Sequence, residues 1–338
     1  MKHNSAKPQH PCGKRPQVGL TLVELLVALV ISLVVVIAAT SSLVVSRRGF
    51  NTVDAASQLR DNARFSTDYI QRLGVQSGFS DATYVTSSDP KGASATVAPS
   101  IFGFNNSTSS STDPLNVATA NTNTSAPNFG SDVVIFRYQV VETFPGSGVS
   151  DNSMIDCFGN SNLALPADRY DRHANVLHVR VDPSTNEPAL YCSTNLRPGP
   201  QPVIQGVEKL QVLYGVDGVT PNTATPATLL PTFMPTRFLR ADQMAVTPDP
   251  DGSLTNNNWR RVRSVRVGMV IRGPLGSTQD STAQTFYPLG AATGSAGGAA
   301  GSAMSSASDA GTAYTPTPDT RLRQVVTFTI HLRNELGF

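Results

Sequence analysis

The order of apolar and polar positions divides the chain into three textures. From Leu20 to Val45 nearly every position is apolar and Glu24 is the one charge, a run close to the ~20 residues that cross a bilayer. Beyond Arg47-Arg48-Gly49, apolar residues recur at Phe50, Val53, Ala56, Leu59, Ala63, Ile70 and Leu73 with polar residues between, mostly at the i, i+3, i+4 spacing of a two-faced helix. No proline falls between Thr21 and Leu73. The pattern therefore predicts one helix about 80 Å long at 1.5 Å per residue, apolar all round in its first half and amphipathic in its second. The other reading is a span followed by a separate helix, with Gly49 as the weak point at about 1 kcal/mol relative to Ala.

After Gly74 the period becomes two. Strands are expected at 132–141, 175–181, 189–192, 207–216, 259–272 and 321–333. In 259–272 Val265, Val267, Met269 and Ile271 share one face and Arg266 and Arg272 the other. In 321–333 Leu322, Val326, Phe328, Ile330 and Leu332 oppose Arg323, Thr327, Thr329 and His331. Such alternation marks half-buried strands. Between them, 85–130, 219–257 and 273–320 are rich in Ser, Thr, Asn, Pro, Gly and Ala and read as low-complexity loops. Even spacing without βαβ alternation predicts an α+β fold. A long N-terminal helix packs on an antiparallel sheet that has one face on the helix and one toward solvent.

Charge narrows the function classes. Charged residues make up 15% of 338 residues and the net charge is +2, so no global field steers nucleic acid to this chain. Arg260, Arg261, Arg263, Arg266 and Arg272 could form a strip for phosphate. The plainer reading is a solvated strand face, and Trp259, the sole indole, offers no stacking series. Asp168, Asp171, His173 and His178 lie close in sequence but in no ligand register. Asp249-Pro250-Asp251-Gly252 begins like a calcium loop, yet Leu254 and Arg260 stand where such a loop needs Gly and Glu. No phosphate-cradling loop or nucleophile elbow appears. The expectation is a non-enzyme with no metal and no cofactor.

The most specific segment is Gly19-Leu20-Thr21-Leu22-Val23-Glu24, preceded by a basic leader with Lys2, Lys7, Lys14 and Arg15 and no acid. A charge deep in lipid costs roughly 2.5–3.5 kcal/mol, so Glu24 needs a function and a partner. A secretory signal has an apolar core of only about 7–15 residues, and a plain anchor leaves Glu24 unexplained. The segment resembles the class III signal of type IV pilins and type II secretion pseudopilins. The resemblance implies that a prepilin peptidase cuts between Gly19 and Leu20 and methylates the new amine. It also implies that Glu24 neutralises the amine of a neighbouring subunit. Leu20 stands where Phe is usual. The basic residues before the helix outnumber Arg47 and Arg48 after it, which favours a cytoplasmic N-terminus.

Later segments are similar to the PilW-type minor pilins. They are the corner Leu73-Gly74 to Gly78-Phe79, then Ser131-Asp132-Val133-Val134 with Arg137-Tyr138, then Leu190-Tyr191-Cys192. The series continues with Gly206-Val207-Glu208-Lys209-Leu210-Gln211-Val212-Leu213-Tyr214-Gly215 and ends with Phe328-Thr329 to Leu332-Arg333-Asn334. This resemblance implies a low-abundance subunit that joins other minor pilins and the major pilin through the inner-membrane assembly platform. It primes the fibre and sits at its tip, supporting twitching, adhesion or DNA uptake. The alternatives are a J-type pseudopilin of type II secretion and a tip adhesin or DNA-binding subunit. The helix would anchor in the inner membrane with residues 74–338 in the periplasm before assembly, and in the fibre afterward. Cys12 lies in the leader. Cys157 and Cys192 form an even pair in an oxidising compartment, and a bridge would close a loop of about 35 residues; two buried free thiols are the other reading.

Overall fold

The computed structural model describes residues 19, 21–81, 97–110, 115, 118–120, 122, 124, 128–168, 170–290, 304 and 309–334. Leader residues 1–18 with Cys12, and Leu20 itself, lie outside them, as does much of 85–130 and the centre of 273–320. Helix α1 runs Leu22–Gln76 without interruption, through Gly49 and three residues past the expected end at Leu73. The strands are β1 (Ile101–Phe104), β2 (Ser107–Ser109), β3 (Ala118–Ala120), β4 (Val133–Tyr138), β5 (His173–Val181), β6 (Pro188–Thr194), β7 (Gln201–Gln205), β8 (Val207–Val216), β9 (Arg237–Leu239), β10 (Val262–Arg272) and β11 (Arg323–His331). A 3₁₀ turn at Ala241–Met244 and a short α2 (Ser253–Trp259) precede β10.

The expected antiparallel β structure forms two main sheets, ordered β1-β4-β5-β6-β7 and β11-β10-β8-β9, with β2-β3 as a separate ribbon. Gly206 is the corner between them. It has φ +81°, donates its N–H to Pro188 O and accepts the Arg272 N–H, both at 2.8 Å. A Cβ there would lie 2.6 Å from Arg272 O, so the chain can leave one sheet and enter the next only through a residue without a side chain. In the second sheet β8 pairs through Val212 with Val267, and β11 pairs through Phe328 with the same residue.

One continuous core joins the amphipathic part of α1 to both sheets. Leu59, Ala63, Ile70 and Leu73 of α1 meet Val134, Phe136 and Leu177 of the first sheet, and Leu210, Val212, Val267, Met269 and Ile330 of the second. At Gly74 a Cβ would fall 2.7 Å from Ile330 Cδ1, so α1 approaches β11 through a bare backbone.

Among the described residues the solvent-facing second face expected from alternation is largely covered, and exposed strand residues are few outside β7, β9 and β11. Every residue of β4, β6 and β8 is buried. On the first sheet Phe102, Phe104 and Leu115 close over Val133, Ile135, Ala174 and Val176. On the second, the arms of the 273–320 segment do the covering. Thr327 Oγ1 donates to Pro288 O at 2.6 Å, Leu289 is 2% exposed, and Gly268 leaves room for Pro288 and Leu289. The low-complexity segments thus hold elements and cover the sheet. Alternation misled because these lids belong to segments that read as polar loops, in which a few apolar residues, Phe102, Phe104, Leu115 and Leu289, pack against the sheets.

Candidate assembly site

Helix α1 opens with a capping box. The Thr21 hydroxyl accepts the Glu24 N–H at 3.3 Å, while the Glu24 carboxylate accepts the Thr21 N–H at 3.1 Å and its hydroxyl at 3.2 Å. Two orphan donors of the first turn are satisfied in this way, and the negative charge sits at the favourable end of the helix dipole. Both contacts to the carboxylate fall on Oε2; among the described residues none falls on Oε1. Gly19 is exposed, as is every residue from Thr21 to Asn51. An 18-residue stretch of this helix has mean hydropathy 3.0, and among the described residues none of it is buried. A helix apolar on all sides is covered by lipid or by neighbouring helices.

The end of α1 is fixed by the cysteine segment. Cys157 and Cys192 form a disulfide, Cα to Cα 6.4 Å, and both are buried. Tyr69 OH donates to Cys157 O at 2.7 Å, and Gln76 Oε1 accepts the Ile155 N–H at 2.7 Å. Burial and the nearby Asp156 carboxylate raise the Tyr69 hydroxyl well above its ordinary range. The bridge therefore links β6 to the strip that holds the helix.

The Ser-Asp and Val-Glu segments turn out to be stitches between the sheets. Asp132, buried at the start of β4, accepts the Asn106 N–H at 2.9 Å and the Val212 N–H at 2.7 Å, and its own N–H donates to Leu210 O at 2.8 Å. Burial, with Asp309 nearby, pushes its carboxyl well up. Glu208, 2% exposed, holds Arg272 at 3.1 Å and Arg323 at 2.7 Å. Glu187 pairs with Arg272 and Arg321, and Asp319 with Arg323. Gln211 donates to Gly130 O and Ala310 O. Glu208, Lys209 and Gln211 of the β8 segment thus each have a defined partner elsewhere in the chain, whereas the buried Tyr214 hydroxyl has none among the described residues.

The other sequence candidates are spent locally. Arg260 donates to Val97 O, Arg261 to Asp217 O, and Arg263 lies 3.9 Å from Asp217; Arg272 is in the Glu208 cluster. The strip is therefore mostly engaged, not a free cationic surface. Asp168 accepts the Tyr170 and Asp171 N–H groups, His173 Nε2 bonds Ala164 O, and His178 is buried elsewhere in β5. Asp249 caps α2 through the Leu254 and Thr255 N–H groups. Among the described residues no three His, Cys, Asp or Glu gather as metal ligands. Sequence reasoning missed Asp217 and Asn258, two buried polar residues that shape the loop before β9; nothing in their local pattern marks them as buried.

Two family profiles match the chain. One, described as the prokaryotic N-terminal methylation motif, covers residues 14–40. The other, type IV pilus-assembly protein W (PilW), covers residues 176–334, which hold the disulfide cysteine Cys192 and the Glu208 cluster. The chain is a PilW-like type IV minor pilin. Among solved structures, a type IV-like pilin from Thermus thermophilus shares 12% identity over 82% of this chain and 97% of its own, with a TM-score of 0.37, a loose superposition. No curated protein matches the sequence. As a pilin, the protein is a structural component of a fibre, and its apolar helix anchors it in a membrane before it joins that fibre.

Proposed function

We propose that this minor pilin primes type IV pilus assembly and resides in the tip complex. A prepilin peptidase cuts between Gly19 and Leu20 and methylates the new amine. Before assembly the helix lies in the inner membrane, N-terminus in the cytoplasm and residues 74–338 in the periplasm. On extraction by the assembly platform, its apolar half enters the fibre core beside other minor pilins and the major pilin. The fibre then serves twitching, adhesion or DNA uptake.

The observation that supports this reading is Glu24, the one charge between Leu20 and Val45, on the exposed apolar half of α1 and within the methylation motif at residues 14–40. Breaking a buried ion pair costs about 3–5 kcal/mol, so pairing Glu24 with a neighbour's amine selects one axial register. The Thr21 box orients the carboxylate until that partner arrives.

The test is a clean deletion, with sheared surface pili and exoprotein secretion measured in parallel. Lost pili with normal secretion, restored by the intact gene, is the expected result. Normal pili with failed secretion would move the chain to the pseudopilins. In complemented strains, Gly19→Ala should leave the precursor uncut. Glu24→Ala should be processed but assemble poorly, and normal assembly would refute the charge pair.

A further inference from the structure

Between β8 and β9 the chain leaves the second sheet as a loop and returns at Arg237. Leu229, Leu230, Phe233 and Met234 lie on it in the open, 40%, 81%, 38% and 70% exposed. Single exposed apolar residues need no explanation, but several gathered on one loop form a patch.

The loop has a fixed shape. Asp217, 1% exposed, accepts the Thr232 N–H at 2.7 Å, the Phe233 N–H at 2.8 Å and the Thr232 hydroxyl at 2.7 Å. These bonds hold Phe233 at φ +60°, a conformation a bulky residue keeps only where its surroundings impose it. The Arg263 guanidinium lies over the Phe233 ring at 5.3 Å. At the other end, fully buried Asn258 accepts the Thr225 hydroxyl at 2.7 Å and donates to Thr223 O and Met244 O, each at 3.0 Å. Arg261 donates to Leu229 O.

A loop that merely dips into lipid needs exposed apolar side chains and gains nothing from a fixed backbone. Preorganised apolar anchors instead lower the ordering cost of docking on another protein. Charge indicates what that protein presents. Residues 218–241 contain Arg237 and Arg240 and no acid. Arg240 is bound to Asp242, whereas Arg237 is exposed. An apolar patch with a cationic rim is complemented by an apolar recess edged with carboxylates. We propose that residues 229–237 are the docking surface for a neighbouring pilus subunit bearing such an acid-rimmed apolar recess. The proposal rests on the minor-pilin reading and names where a partner sits.

The experiment uses the full-length chain with a photo-crosslinking amino acid in place of Leu230, in cells that carry each other pilus subunit with its own epitope tag. A second strain carries the crosslinker in place of Val30, in the apolar helix. The expected result is a crosslink from position 230 to one tagged subunit. Its yield falls at least tenfold with Arg237→Glu, while the position-30 crosslinks and the protein level stay unchanged. A lipid adduct alone at position 230, a yield indifferent to Arg237→Glu, or crosslinks from position 30 with none from position 230 would each overturn the docking surface and leave the pilin reading standing. Silence at both positions would overturn both.

Discussion

Replacing Glu208 by Gln tests whether the polar cluster between the sheets carries the fold. The Glu208 side chain is 3% exposed; Oε1 accepts Arg272 Nη1 at 3.1 Å and Oε2 accepts Arg323 Nε at 2.7 Å. With Glu187, Asp319 and Arg321 the cluster holds three acids and three arginines and is neutral. Glu208→Gln keeps the shape and leaves one cation in excess beside Arg323, whose side chain is 6% exposed. Arg323 retains Asp319 and Arg272 retains Glu187, so the loss should lie at the lower end of the 3–5 kcal/mol range for breaking a buried pair. At about 2–4 °C per kcal/mol for a domain of this order, the unfolding midpoint should fall by about 6–12 °C. The assay is thermal unfolding of the full chain in detergent, followed by near-UV circular dichroism. Adding Arg323→Met to Glu208→Gln should recover part of the loss, because it removes the stranded cation. A shift matching less than about 1 kcal/mol, the value of an exposed pair, or no recovery in the double variant, would refute the argument.

Burial, with Arg180 nearby, lowers His178 to about 4, and neither ring nitrogen has a hydrogen-bond partner among the described residues. Its folded-state pKa is depressed, so the unfolded chain takes the proton first: stability is full above about pH 6.5 and falls by roughly 3 kcal/mol in all between pH 6.5 and 4. His178→Phe should flatten that part of the pH–stability profile in denaturant titrations; an unchanged slope would show that other groups cause it. Reducing the Cys157–Cys192 bridge, separation 35, or making Cys157→Ala with Cys192→Ala, should cost about 4 kcal/mol in the chain-entropy picture. The denaturant midpoint with and without reductant measures it, and equal midpoints would show that the Tyr69 and Gln76 contacts suffice alone.

Much of the architecture was legible in the sequence. The uninterrupted apolar run with Glu24 and the i, i+3, i+4 pattern after it gave α1, because helix burial follows a period that survives in one dimension. Strands β4, β5, β6, β8, β10 and β11 were legible because β-branched and aromatic residues cluster in them. Strands β1, β2, β3, β7 and β9 were not, since at three to five residues each they exist only through the strand they pair with.

By itself the sequence determined the signal, the long helix, the main strands and the two cysteines that could pair. Only the tertiary structure decided that the β structure divides at Gly206, where Arg272 O leaves no room for a Cβ. It also decided that the arms of 273–320 cover Gly268, and that Glu208, Asp132 and Asp217 lie buried. A polar side chain is read as exposed until its partner is known. Here the hydrogen-bond partners lie at least 15 residues away in the chain, so burial of these residues is a property of the folded domain and not of any local pattern.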